Sequence, residues 1–374
     1  MGGQFVIPAR RYLRVIPILC LSFILPPALS VAAETLLLEQ PSIAGDRIAF
    51  VYAGDVWTAR RDGSQPRRLT SHPATENDPA LSPDGRWVAF SAGYNGNADV
   101  YVVSSEGGQP RRLTWHPYED LVRGWTPDGK SILFATNREV MTRGGQQIFA
   151  VSIEGGLEKA LPMPYAVDLS YAPDGRRVAY MPFTPAQWGT SGWDKHRGGR
   201  TPPIWIFDLS GHGIEKIPHD RVNDTDPMWV GNAVYFLSDR AGRVNLFSYD
   251  LSSRAVTQLT HDTAWDIESA AATDDAVIFD RGGRLHVFEL RERRERPLAI
   301  ALNADLPQLL PQWKDASRSI TGGVLSPKGM RAAFSARGDI FTIPLKHGDA
   351  RNLTRTPGAN DRDPLWSPDG REVA

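Results

Sequence analysis

A single cysteine, Cys20, is the whole thiol content of this 374-residue chain. Past residue 33 there is none, which excludes disulfides, thiolate metal sites and thiol catalysis from the folded part. An excess of either charge is also missing: 42 Lys and Arg stand against 43 Asp and Glu. No global field therefore draws the chain to nucleic acid or to an anionic membrane, and no nucleic-acid partner is expected. Long apolar runs are lacking. The stretch from Val15 to Leu25 is well under the ~20 residues that a spanning helix needs, so no stable membrane anchor is expected. No segment holds a helical period of apolar residues over three turns, which argues against α/β architectures. Gly-x-Ser-x-Gly elbows, calcium loops and His-x-x-Glu-His zinc motifs are absent too. No catalytic residue, metal ligand or cofactor site is assigned on this sequence.

The first 33 residues read as a processing segment. Arg10, Arg11 and Arg14 form a positive start, the apolar stretch follows, and Val31-Ala32-Ala33 offers the small residues of a cleavage site. Cys20 sits within the apolar stretch behind Leu19, where a lipoprotein site wants a small residue. A signal peptide over 1–33 implies export to a periplasmic or extracellular location.

Repetition dominates the rest. Ser82-Pro83-Asp84-Gly85, Thr126-Pro127-Asp128-Gly129 and Ala172-Pro173-Asp174-Gly175 each precede a β-branched or aromatic run, and their aspartates are spaced 44 and then 46 residues apart. Proline presets φ, aspartate caps its own turn and glycine accepts positive φ, so each tetrapeptide predicts a tight turn between strands. A third strand such as Asp99–Val103 follows. An outer element then closes the unit, seen as Arg67-Arg68-Leu69-Thr70, Arg111-Arg112-Leu113-Thr114, Gln258-Leu259-Thr260 and Arg351-Asn352-Leu353-Thr354. Four strands per ~44 residues select a β-propeller, because such sheets bury both faces only against their neighbours. The template gives six units over about 41–79, 80–122, 123–168, 169–226, 227–268 and 269–305, within a domain spanning 34–305.

Residues 306–320 break the rhythm as a proline-punctuated linker. The pattern restarts at Leu325-Ser326-Pro327-Lys328-Gly329 and enters another unit at Trp366-Ser367-Pro368-Asp369-Gly370. The expected fold is therefore all-β: a six-bladed propeller, then the first blades of a second, truncated one over 321–374. Half a blade at Ala374 would leave open sheet edges, so the chain is expected to be part of a longer protein.

Candidate chemistry is sparse. His72, His116 and His261 each follow an outer Leu-Thr element, which points to a structural or solvated loop role. Asp84, Asp128, Asp174 and Asp369 are explained by their turns. The segment the repeat does not need is an insertion of about twenty residues, Pro182 to Pro203, in the fourth unit. It carries Trp188, Trp193, Lys195, His196, Arg197 and Arg200. Of these, Trp193, His196, Arg197 and Arg200 are the candidate peptide contacts, with arginine able to fork onto a terminal carboxylate. The alternative is a solvated loop packed on the propeller face or on a neighbouring subunit.

The repeat resembles the TolB-type propeller unit. The insertion from Trp193 to Ile206, the run Pro227-Met228-Trp229-Val230-Gly231, the linker Pro311 to Ser317 and the restart Phe334 to Thr342 are more specific, and resemble tricorn peptidase homologues. The resemblance implies a six-bladed and then a seven-bladed propeller, followed by a PDZ domain and a serine peptidase domain that trims oligopeptides. It also implies that the propellers act as filters or conduits and that the catalytic Ser, His and Glu lie beyond this chain. The family archetype is intracellular, in contrast to the signal peptide seen here. Expected partners are peptides, the absent C-terminal domains and further copies of the chain in a homo-oligomer. Two other readings remain open: a TolB-like periplasmic binding scaffold, and the propeller of a prolyl-oligopeptidase-type enzyme.

Overall fold

The computed structural model describes residues 34–140, 145–186, 198–303, 305–306, 315–356 and 358–374. These form seven four-stranded antiparallel sheets with strands in sequence order, and the chain divides into two compact units between residues 304 and 305. The architecture is all-β and consistent with a β-propeller. Sheets 1 to 6 cover 39–68, 76–112, 120–160, 168–216, 224–258 and 267–297, and sheet 7 covers 320–352.

The tetrapeptides behave as turns. Asp84 Oδ1 accepts from Ser82 Oγ at 2.6 Å and from the Arg86 amide at 3.1 Å, while the Gly85 amide donates to the Ser82 carbonyl at 2.8 Å. Thr126-Pro127-Asp128-Gly129 and Ser367-Pro368-Asp369-Gly370 repeat these bonds. The four turn glycines adopt φ between 67° and 70°, a region costly for any residue with a Cβ.

Outer strands are shorter than the Arg-Arg-Leu-Thr runs suggest. Only Arg67–Arg68, Arg111–Arg112 and Arg351–Asn352 pair as strand in those three units. Two residues later the threonine side chain replaces the ladder. Thr70 Oγ1 accepts from the Val56 amide, Thr114 from Val100, Thr260 from Leu246 and Thr354 from Ile340, each across 14 positions and at 2.8–3.1 Å. The second arginine turns back onto the acid that opens the third strand: Arg68 reaches Asp55 at 2.7 Å and Arg112 reaches Asp99 at 2.6 Å. Short, arginine-bearing outer strands leave little free edge for another chain to pair with.

Sheets 1 to 6 are joined by one recurring bond. An amide at the head of each first strand donates to a carbonyl in the preceding sheet's loop between its second and third strands: Glu76 to Gly54, Asp120 to Ala98, Ala166 to Gln146, Asp224 to Pro202 and Ile267 to Val244. The sixth such bond runs from Leu38 back to Gly283, at 3.2 Å. A Cβ at Gly283 would sit 3.0 Å from the Leu37 amide nitrogen, so this junction needs glycine. Ile43, Ile48, Phe50 and Trp57 of sheet 1 pack with Ile278, Leu285 and Val287 of sheet 6 in one buried cluster. Sheet 6 thus covers sheet 1 as each sheet covers its successor. Burying such side chains contributes about 1.5–3 kcal/mol each.

Candidate functional site

The first strands of all six sheets edge one cavity of about 740 Å³. Its polar lining comes from where those strands break regularity. Asp78 and Asp226 hold φ of 52° and 50° at register shifts, each followed by proline. Proline has no amide to give a ladder, and aspartate tolerates the left-handed region better than most residues. The resulting bulges turn carboxylates toward the cavity.

Seven carboxylates, Glu39 and Asp274 among them, and one guanidinium line the cavity. Arg123 Nη1 lies 3.2 Å from Asp78 Oδ1, and its Nε donates to the Val167 carbonyl at 2.7 Å. Asp226 Oδ1 accepts from the Ala270 amide at 3.3 Å. Asp280 accepts from the Ser269 and Gln40 amides at 2.7 and 3.0 Å, and Asp168 and Glu268 complete the set. Burial pushes Asp168 up to about 7, and Asp226 and Asp280 each up to about 6, with neighbouring carboxylates adding to the shift. Near neutrality the wall is therefore partly protonated. It presents both hydrogen-bond donors and acceptors to the cavity.

A second set of buried acids opens the first strands at the rim. Asp120 is gripped through both oxygens by Arg138 at 2.6 Å, and Asp224 by Arg240 at 2.9 Å. Each guanidinium also lies over two phenylalanines, Phe134 and Phe149 or Phe236 and Phe247, at 5.1–5.3 Å. In sheet 2 the matching acid is Glu76, and Tyr94 stands where Arg138 and Arg240 stand in sheets 3 and 5.

Of the peptide-contact candidates, Trp193, His196 and Arg197 lie outside the described residues, as do Trp188 and Lys195. Arg200 is exposed, and its carbonyl accepts from the Ala186 amide at 3.2 Å, so the two ends of the insertion meet there. His72 and His116 accept through Nδ1 from the amides of Ala74 and Tyr118 at 3.1 and 3.2 Å, which shapes their loops. The cavity acids were not singled out on the sequence. For two of them, Asp78 and Asp226, the signal was an Asp-Pro pair ahead of the turn, at Asp78-Pro79 and Asp226-Pro227; Asp168, Glu268 and Asp280 carry no such mark.

Comparison with known proteins gives the family. Residues 35–294 match the tricorn protease N-terminal β-propeller domain. The chain belongs to that family. It is 27% identical over 332 residues to a tricorn protease homolog of Saccharolobus solfataricus, and 29% identical over 339 residues to tricorn protease homolog 1 of Streptomyces coelicolor. These alignments cover 88% and 90% of this chain but 30% and 31% of the relatives. The chain thus spans about a third of the length of the curated relatives it matches. The crystal structure of the tricorn protease superposes with a TM-score of 0.66 at 20% identity, over 90% of this chain and 41% of that one. The fold is shared, and the relatives define a peptidase family.

Proposed function

We propose that this chain is the N-terminal, non-catalytic propeller portion of a tricorn-like serine peptidase that degrades oligopeptides. Sheets 1 to 6 form a six-bladed ring, and sheet 7 with Trp366-Ser367-Pro368-Asp369-Gly370 begins a second, seven-bladed one. The cavity framed by all six first strands is the observation that carries the reading. It gives a peptide one polar path through the ring toward or away from chemistry done elsewhere. Arg200, together with Trp193, His196 and Arg197, serves as a contact for peptides. Export through residues 1–33 places this handling in the periplasm or outside the cell.

Fluorescence polarisation of labelled oligopeptides tests the conduit. Ala270 lines the cavity, and Ala270→Trp should block it and weaken peptide retention at least tenfold while the fold is kept. Equal polarisation with both proteins would end the conduit reading. The chain by itself is expected to hydrolyse no fluorogenic peptide and to take up no serine-directed phosphonate.

A further inference from the structure

The rim acid of sheet 2 differs from its counterparts in a way that points to a device. Glu76 is fully buried. Its Oε1 accepts from Tyr94 Oη at 2.7 Å and its Oε2 from Thr70 Oγ1 at 2.9 Å. Asp120 and Asp224 meet guanidinium groups at this place, and their charge is neutralised locally. Glu76 meets two hydroxyls. The charged groups facing it are Asp55 on the third strand of sheet 1 and Arg68 on the outer strand, and these are already paired with each other at 2.7 Å. On the other side the His72 ring lies tilted against Tyr94 with centroids 4.0 Å apart, and Tyr101 lies 4.6 Å from the same ring.

We propose that Glu76, with Tyr94 and Thr70, is a proton-operated latch at the rim between sheets 1 and 2. It is closed when the carboxyl is neutral and loosened when the carboxyl ionises. The three residues stand at the junction that the Glu76 amide makes with the Gly54 carbonyl at 2.9 Å. Thr70 Oγ1 also receives the Val56 amide, so strain at the carboxyl reaches the third strand of sheet 1. A buried carboxylate without a cation is costly, whereas the neutral acid fits among hydroxyls. Burial accordingly raises Glu76 to about 7. The sign follows. An opened, solvated Glu76 returns to the ordinary value near 4.5, so the closed form is favoured at low pH. Its advantage is lost as pH rises from there to about 7. The device does not depend on whether peptides use the cavity.

Hydrogen exchange of the 374-residue chain, corrected for intrinsic rates, reads the latch. Between pH 5 and 8 the protection of the Val56 and Glu76 amides should fall about tenfold or more, while that of the Asp120 amide stays level. Glu76→Gln keeps the shape and should flatten the pH dependence at Val56. Tyr94→Arg copies sheets 3 and 5 and should flatten it too. Tyr94→Phe removes a donor to the ionised form and should move the midpoint to higher pH. A fall at Val56 that persists in both flattening variants, or one equally large at Asp120, overturns the latch. So does constant protection at Val56 in the unaltered chain.

Discussion

Seven aromatic rings occupy one position of the repeat, and the seventh differs from the others. Phe50, Phe90, Phe134, Tyr180, Phe236 and Phe279 in sheets 1 to 6 are completely buried, whereas Phe334 in sheet 7 remains partly exposed. The local structure is the same. Phe334 faces Phe341 across the strands with ring centroids 5.9 Å apart, and Phe134 faces Phe149 at the same distance. Sheet 7 also keeps the turn and the threonine bond of the outer strand. Yet Ile320, Leu325, Met330, Leu345 and Leu365 in its unit are all more than half exposed. Hydrogen bonds within a sheet are local and form wherever the repeat is written. Burial needs a sheet on each side, and only sheets 1 to 6 supply that to one another.

The largest way to test this contrast is to cut the chain between residues 304 and 305. The six-sheet part should keep a cooperative melt within a few degrees of the parent. The segment 305–374 should show no cooperative transition by circular dichroism, and a sharp melt of that segment would remove the contrast altogether. Next in size are matched truncations at the aromatic position. Phe134→Ala should cost about 3–5 kcal/mol, as expected for a fully packed ring, and Phe334→Ala about 1 kcal/mol. Denaturant titration of both variants gives the two values, and similar losses would show that the exposed rings are better packed than their surroundings imply.

The smallest expected effect separates the two units by pH. Asp280 is held near 6 by burial, so its neutral form stabilises the first unit below the unfolded value of about 3.8, and that contribution is lost as pH rises to about 6. The loss should amount to at most about 3 kcal/mol. The urea midpoint of that unit should fall over that window, and Asp280→Asn should flatten the fall. Asp369 in the second unit is shifted the other way: its bond from Ser367 comes first, then the Arg371 amide. Its contribution is lost as pH falls. A first unit whose midpoint rose between pH 4 and 6 would contradict the burial assigned to Asp280.

Much of this was legible in advance because a turn advertises its chemistry. Ser82-Pro83-Asp84-Gly85 states a fixed φ, a side-chain cap and a positive φ in four letters, and its recurrence gives strand number and period. The rim clamps were not legible. Asp120 and Arg138 are 18 residues apart in separate strands and loops, and nothing local says that they meet. Asp78 and Asp226 were hidden for a similar reason, since a bulge reverses which face a side chain takes.

By itself the amino-acid order determined the strands, their turns and the repeat of about 44 residues, because each of these depends on neighbours a few positions away. Tertiary structure alone decided which sheets are covered on both faces and which carboxyls lose water. The contact between sheets 6 and 1 was decided there as well: the Leu38 amide meets the Gly283 carbonyl across 245 positions of sequence, and no local pattern announces it.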